Sequence, residues 1–269
     1  GAGLVGVDAA IGLNELGVDV SIVELGDRIL PQQLDEEASA RYQSRFNEAG
    51  IQTITNRSAQ KLVIDEQNHV QGLKLDNGKE LKTQLVIVAT GVKPNTNLVA
   101  DTPINIDQGI IVDEYQQTAI DNIYAAGDVC QSEEVFSDEL TLTPIWPLAV
   151  KQGKIAARNM VGQKEEITEN FAYQNSMRFL DLSAITYGLV NVDNDDYRVY
   201  ISQDKDNYKK LILKDNQLRG AVFVGDIDNS GVYGKLIKEE IDLSNKLDKL
   251  FQLSYGDFFE EEPNGQFVY

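Results

Sequence analysis

The sequence predicts an α/β fold class that gives way to a small α+β region in the last third of the chain. Three observations carry this reading. A glycine loop and a helical stretch lead into an apolar strand that ends on an acid. A continuous apolar run at 85–89 ends in a turn rich in Gly and Pro. Short strands with tight turns then crowd the C-terminal part.

The loop is Gly1-Ala2-Gly3-Leu4-Val5-Gly6, a G-x-G-x-x-G spacing. Gly1 allows a tight turn, Gly3 lets the backbone approach a pyrophosphate, and Gly6 lets the following helix pack closely on a sheet. Leu4 and Val5 open that helix, whose free N–H groups and partial positive charge suit phosphates. Residues 4–16 read as the helix, with Val5, Ala9, Leu13 and Leu16 along one face and Gly17 ending it. Strand 18–23 follows and stops on Glu24. There a carboxylate can accept hydrogen bonds from both hydroxyls of an adenine ribose and repel a 2′-phosphate, which favours NADH over NADPH. Together these pieces form a Rossmann-like dinucleotide-binding pattern. The competing reading is a helix-capping glycine turn without a ligand. The pattern ordinarily follows a strand and here has none before it, so the natural chain is expected to be longer.

Further along, Asp35 is placed to N-cap a helix over 36–48 that Gly50 closes. Residues 51–55 read as a short strand. Residues 61–65, 70–75 and a stretch after Asp76-Asn77-Gly78 read as antiparallel strands, with the only histidine, His69, in a solvent-facing turn. The run at 85–89 suits a strand buried on both faces. Strands are expected at 109–112 and 123–125, an exposed acidic loop at 132–143, and a helix over 147–160 with Pro near its first turn. Residues 163–170 read as a charged linker. Strands at 183–189, 197–202, 208–214 and 217–224 follow, the last two joined by a Lys214-Asp215-Asn216-Gln217 turn. Helices at about 230–240 and 245–252 complete the chain.

A net charge of −19 over 269 residues argues against nucleic acid or an anionic membrane as partner. The single cysteine, Cys130, excludes an intrachain disulfide, a C-x-x-C pair and a cysteine zinc cluster in this chain, and reads as a small packing residue. With one histidine there is no Ser/His/Asp arrangement and no metal-ligand spacing, so neither a catalytic side chain nor a metal site is expected. No apolar run reaches the roughly 18 residues of a membrane span, and the cytoplasm is the default compartment.

Three motifs in order resemble the flavin-dependent pyridine nucleotide–disulfide oxidoreductase superfamily: the glycine loop with Glu24, then Val88-Ala89-Thr90-Gly91-Val92-Lys93-Pro94-Asn95, then Ile123-Tyr124-Ala125-Ala126-Gly127-Asp128. The resemblance implies an NAD-binding domain over 1–92 and the second half of an FAD-binding domain over 93–165. A small α+β C-terminal domain would occupy 166–269. The stretches Asn175-Ser176-Met177, Tyr208-Lys209-Lys210-Leu211 and Gly225-Asp226-Ile227-Asp228 resemble more narrowly the C-terminal domain of NADH-dependent reductases related to rubredoxin reductases and to the flavoprotein part of NADH–nitrite reductases.

The resemblance implies an NADH- and FAD-dependent oxidoreductase that passes electrons to an acceptor, rubredoxin or another small redox protein being the first choice. The alternative is a non-catalytic NADH- or flavin-binding subunit. Asp128 and Gly127 are implied at the flavin ribityl chain, with an Asp that only caps its turn as the alternative. Trp146, Pro147 and Leu148 open a helix aimed at the flavin ring, or else Trp146 is a core residue. Gly91 and Val92 are implied beside the nicotinamide ribose. Asp8 stands where the family usually has Glu toward the carboxamide, or is simply a polar position on an exposed helix side. Arg28 can reach the adenosine end. The C-terminal domain implies a homodimer, with Tyr187, Phe223 and Tyr233 as candidate anchors or as core.

Overall fold

Gly3 starts the first helix, α1 (Leu4–Glu15), and Gly17 in the left-handed region (φ 78) turns the chain out of it. In this computed structural model the described residues are 1–134, 137–167, 174–258, 260–261 and 267–268. They divide into two compact units, Gly1–Gly91 with Gln174–Tyr269, and Val92–Tyr173.

In the first unit, β1 (Ser21–Val23) leads to α2 (Glu36–Glu48), whose cap is the predicted one: Asp35 accepts a hydrogen bond from the Ala38 N–H at 3.0 Å. Then β2 (Gln52–Ile54) pairs parallel to β1. A three-stranded antiparallel sheet follows, of β3 (Ala59–Ile64), β4 (Val70–Leu75) and β5 (Glu80–Lys82). The expected α1 face is wrong. Val7, Ala10 and Ile11 are buried, while Val5 is 74% and Leu16 80% exposed. Gly6 is seated against the Gly1 carbonyl and Ala89, which fixes the helix rotation, and Val5 and Val7, two residues apart, lie on opposite sides of the helix.

The run at 85–89 also departs from expectation. It joins no ladder among the described residues, and Leu85, Ile87 and Val88 are exposed. Apolar composition supplies strand propensity, but a strand forms only where a neighbour takes its N–H and C=O groups.

The second unit contains β6 (Ile110–Ile111), parallel to β7 (Cys130–Glu134), which pairs antiparallel with β8 (Ser137–Thr141), followed by α3 (Trp146–Met160). The acidic stretch read as a loop at 132–143 is therefore largely this hairpin, with residues 135 and 136 outside the described ones. Gln131, buried in it, is fully partnered: its amide accepts from the Gln108 and Gly109 N–H groups and donates to Asp107 and the Leu140 carbonyl. Residues 123–125 form only an isolated bridge, between Gln117 and Tyr124, rather than a strand. The described part of the expected linker is tied down as well. Asn159 exchanges hydrogen bonds with the Glu165 backbone, and the Ile167 N–H donates to the Glu114 carbonyl. Residues 168–170 lie outside the described ones.

Back in the first unit, five antiparallel strands run in the order β11 (Arg198–Gln203), β12 (Tyr208–Lys214), β13 (Gln217–Val224), β10 (Leu182–Gly188) and β9 (Gln174–Phe179). The strand at 174–179 is an element that sequence periodicity missed. Asp215 and Asn216 both adopt positive φ, as a two-residue hairpin requires. α4 (Gly231–Lys238) packs on β13 and β10. Tyr187, Phe223 and Tyr233 are buried, so they are core and not surface anchors. One core runs from α1 and α2 into this sheet, where Tyr42 meets Phe179 edge-on and donates to the Leu182 carbonyl at 2.9 Å. No helix among the described residues is long and apolar enough to cross a membrane.

Candidate functional site

The three glycines of the loop differ in what they face. A Cβ on Gly1 would lie 2.2 Å from the Ala89 carbonyl oxygen, and one on Gly6 would lie 2.0 Å from the Gly1 carbonyl oxygen. Both are required by the protein's own packing. A Cβ on Gly3 would meet nothing within 4 Å. Space therefore lies open in front of Gly3, at the start of a helix whose N-cap carries no side chain and whose first turn carries no acid. The uncapped N–H groups and partial positive charge there fit an anion. Leu4 packs against the core, while Val5 and Asp8 are exposed near this helix start.

Glu24 follows β1 and turns its carboxylate onto the loop. It accepts from the Ala2 N–H at 2.5 Å and the Gly26 N–H at 2.7 Å. Two bonds leave acceptor capacity on both oxygens, since a carboxylate offers about four lone-pair sites. The loop is also strapped from the far side. Leu30, wholly buried and in the left-handed region (φ 51), donates its N–H to the Ala2 carbonyl at 2.9 Å. No sequence signal marks a leucine for that conformation. The Arg28 guanidinium is directed at Asp27 (2.9 Å) and at the Pro31 and Leu34 carbonyls, so in this structure it braces its own loop. Gly91 has φ 96, a conformation that favours glycine, and a Cβ there would meet nothing within 4 Å. Val92 opens the second unit and is exposed.

Within the second unit the structure brings Gly127 and Asp128 to the N-terminal part of α3. Gly127 (φ 83) donates its N–H to Gln152 Oε1 at 2.8 Å, and a Cβ on it would sit 3.5 Å from Ala149 Cβ. Asp128 is exposed and makes no hydrogen bond or ion pair among the described residues. α3 begins after Ile145 without a side-chain cap, with Pro147 in its first turn and Leu148 buried. Trp146 is 82% exposed and so is not a core residue. Gln152 is a functional candidate that sequence reading missed. Its signal was available, a polar residue four positions after Leu148 and three before Ile155 on the buried face of an amphipathic helix.

Cys130 is buried beside this turn, and burial pushes its thiol up to about 11. It is not an activated nucleophile. The unfolded thiol ionises near 9.0, so this group's contribution to stability is whole below that pH and is lost as pH rises through about 11. Burial raises Tyr42, Tyr208 and Tyr233 in the same sense, the last to about 12. The denaturant midpoint is therefore expected to hold to about pH 9 and to fall steadily above it. Iodoacetamide is expected to modify Cys130 only on unfolding. A midpoint level to pH 11, or rapid alkylation of the folded protein, would contradict this burial.

The sequence matches the pyridine nucleotide-disulphide oxidoreductase family over residues 1–153 and the rubredoxin NAD+ reductase C-terminal domain over residues 174–241. It is 30% identical to a nitrite reductase (NAD(P)H) of Bacillus subtilis over 91% of this chain and 29% of that protein. It is 28% identical to the NADH-rubredoxin oxidoreductase of Clostridium acetobutylicum over 94% of this chain and 60% of that protein. Among solved structures it resembles a NAD-dependent persulfide reductase from A. fulgidus, with TM-score 0.81 and 26% identity, covering 91% of this chain and 49% of that one. The chain thus spans from under a third to three fifths of the length of these relatives. Both the family match across the glycine loop, Gly91 and Asp128 and the shared fold lead to one conclusion: this chain belongs to the pyridine nucleotide-disulphide oxidoreductase family.

Proposed function

We propose that the chain forms the NADH-binding part and a portion of the flavin-binding part of an NADH-dependent flavoprotein oxidoreductase. Its electrons would pass to an acceptor such as rubredoxin or another small redox protein. FAD and NADH are the cofactors of the family. The single observation that carries the reading is the open space before Gly3, at an uncapped helix start and beside the Glu24 carboxylate.

When bound, NADH supplies a hydride and FAD accepts it. The chain's own residues hold and orient. The Gly1–Gly6 loop and the first N–H groups of α1 take the diphosphate. Glu24 accepts from ribose hydroxyls with its remaining lone pairs, and Arg28 braces the loop behind it. Gly91, where a Cβ would meet nothing within 4 Å, and Val92 serve the nicotinamide ribose, and Asp8 serves the carboxamide end. Gly127 and Asp128 take the ribityl chain. The start of α3, at Pro147 and Leu148, would face the flavin ring, where its uncapped N–H groups and dipole favour negative charge. No side chain acts as acid or base. The small-redox-protein acceptor rests on the match of residues 174–241 and on the name of the Clostridium relative. A homodimer belongs to the same reading and is tested by sedimentation.

The experiment uses the protein as it occurs naturally. A yellow protein bleached by NADH is the expected result, and Glu24→Ala is expected to weaken NADH about tenfold or more while narrowing the preference over NADPH. A colourless protein that binds NADH would make it a nucleotide-binding module instead. Unchanged preference in Glu24→Ala would remove Glu24 from the site.

A further inference from the structure

We infer that Gln152 is a positioning residue for the flavin-binding turn, an inference that rests on the proposed function. Its amide sits 3% exposed on the inner face of α3. Oε1 accepts the Gly127 N–H at 2.8 Å and lies 3.4 Å from Cys130 Sγ. The turn is also held by Gln116, which is wholly buried with φ 63 and accepts the Ala125 N–H on its main-chain carbonyl at 3.1 Å. The Cys130 N–H donates back to the Gly127 carbonyl at 3.0 Å. Ala125 is therefore held by the Gln116 backbone carbonyl and Gly127 by the Gln152 side chain. Asp128, the next residue, is left projecting without a partner among the described residues.

The arrangement has a direct consequence for binding. Asp128 and the α3 start are the two groups of this unit assigned to the flavin. The Gln152 amide oxygen joins the turn to the second helical turn of α3, through the Gly127 N–H and the Cys130 thiol. Gln152 is buried, so water does not readily replace its oxygen as the acceptor. The Gly127 N–H has no other acceptor among the described residues, so losing the Gln152 oxygen leaves it unpaired. The Gln116 Nε2 finds no partner among them either, so the buried network is already one bond short and tolerates a further loss poorly.

The test compares Gln152→Leu, which removes the acceptor at similar volume, with Gln152→Glu, which keeps one. It uses the natural protein stripped of flavin. Two quantities are read: hydrogen exchange of the segment around residue 127, and the dissociation constants of FAD and of NADH by fluorescence. In Gln152→Leu, exchange at the turn is expected to accelerate and FAD affinity to fall about tenfold or more, with NADH affinity unchanged. Gln152→Glu is expected to restore most of the FAD affinity. Faster exchange with unchanged FAD affinity would overturn the positioning role. So would an equal fall in FAD and NADH affinities, which marks general destabilisation. Wild-type protein that takes up no FAD would refute the flavoprotein reading itself, and this inference with it.

Discussion

Asp35→Ala is expected to cost about 3–5 kcal/mol of folding stability, read as a drop in the urea midpoint. Both carboxylate oxygens of this buried residue are committed. Oδ1 caps α2 through the Ala38 N–H, and Oδ2 accepts from the Tyr208 hydroxyl at 2.5 Å and lies 2.9 Å from Lys210 Nζ. Tyr208 and Lys210 come from β12, so one side chain ends the loop after Glu24, starts α2 and anchors the C-terminal sheet. Alanine there leaves the Lys210 ammonium, only 9% exposed, with the Val190 carbonyl as its remaining acceptor among the described residues. The penalty is mostly that uncompensated charge, with about 1 kcal/mol for the lost cap. The double variant Asp35→Ala/Lys210→Met is therefore expected to recover more than half of the loss. If the double variant is as unstable as the single one, the ion pair is not what makes Asp35 important.

Gly6→Ala and Gly3→Ala are expected to separate packing from binding in one loop. The Gly6 Cβ would stand 2.0 Å from the Gly1 carbonyl oxygen, and both are backbone-bound, so neither can swing away. The loop must shift, at about 1–3 kcal/mol or more, and NADH affinity is expected to collapse with it. Gly3→Ala introduces no contact within 4 Å, so its stability should change by no more than about 1 kcal/mol, the difference between glycine and alanine as an N-cap. Its NADH affinity is nevertheless expected to fall about tenfold or more if, as proposed, the added methyl group stands where the backbone approaches the pyrophosphate. Thermal midpoint and calorimetric affinity, taken on both variants, decide the matter. A Gly3→Ala protein that binds NADH like the wild type would show that the open space does not receive the diphosphate.

Local chemistry was legible in the sequence. The Asp35 cap, the helix-ending glycines at 17 and 50, and the Asp215-Asn216 turn follow from side-chain reach and backbone sterics over a few residues, and each is found where expected. The three motifs that mark the family are likewise contiguous, which is why the order of glycine loop, Gly91 and Gly127-Asp128 is legible in the sequence alone. Propensity misled where partners were needed. The most apolar stretch, at 85–89, joins no ladder among the described residues, whereas the acidic stretch after Cys130 pairs as a hairpin, with the buried Gln131 amide bonded to the Leu140 carbonyl and to Asp107.

Composition and spacing by themselves determined the type of most elements, the glycine loop with its acid, and the lack of a second cysteine or histidine in this chain. Only the tertiary structure decided which face of α1 is buried, that Glu24 bonds to the loop it serves, that Arg28 braces its own segment, and that Gln152 rather than any motif residue holds the Gly127 turn. The physical reason is range. A cap or a turn is settled by atoms a few bonds apart. Helix rotation, burial and a hydrogen bond spanning 25 residues depend on what the rest of the chain brings alongside.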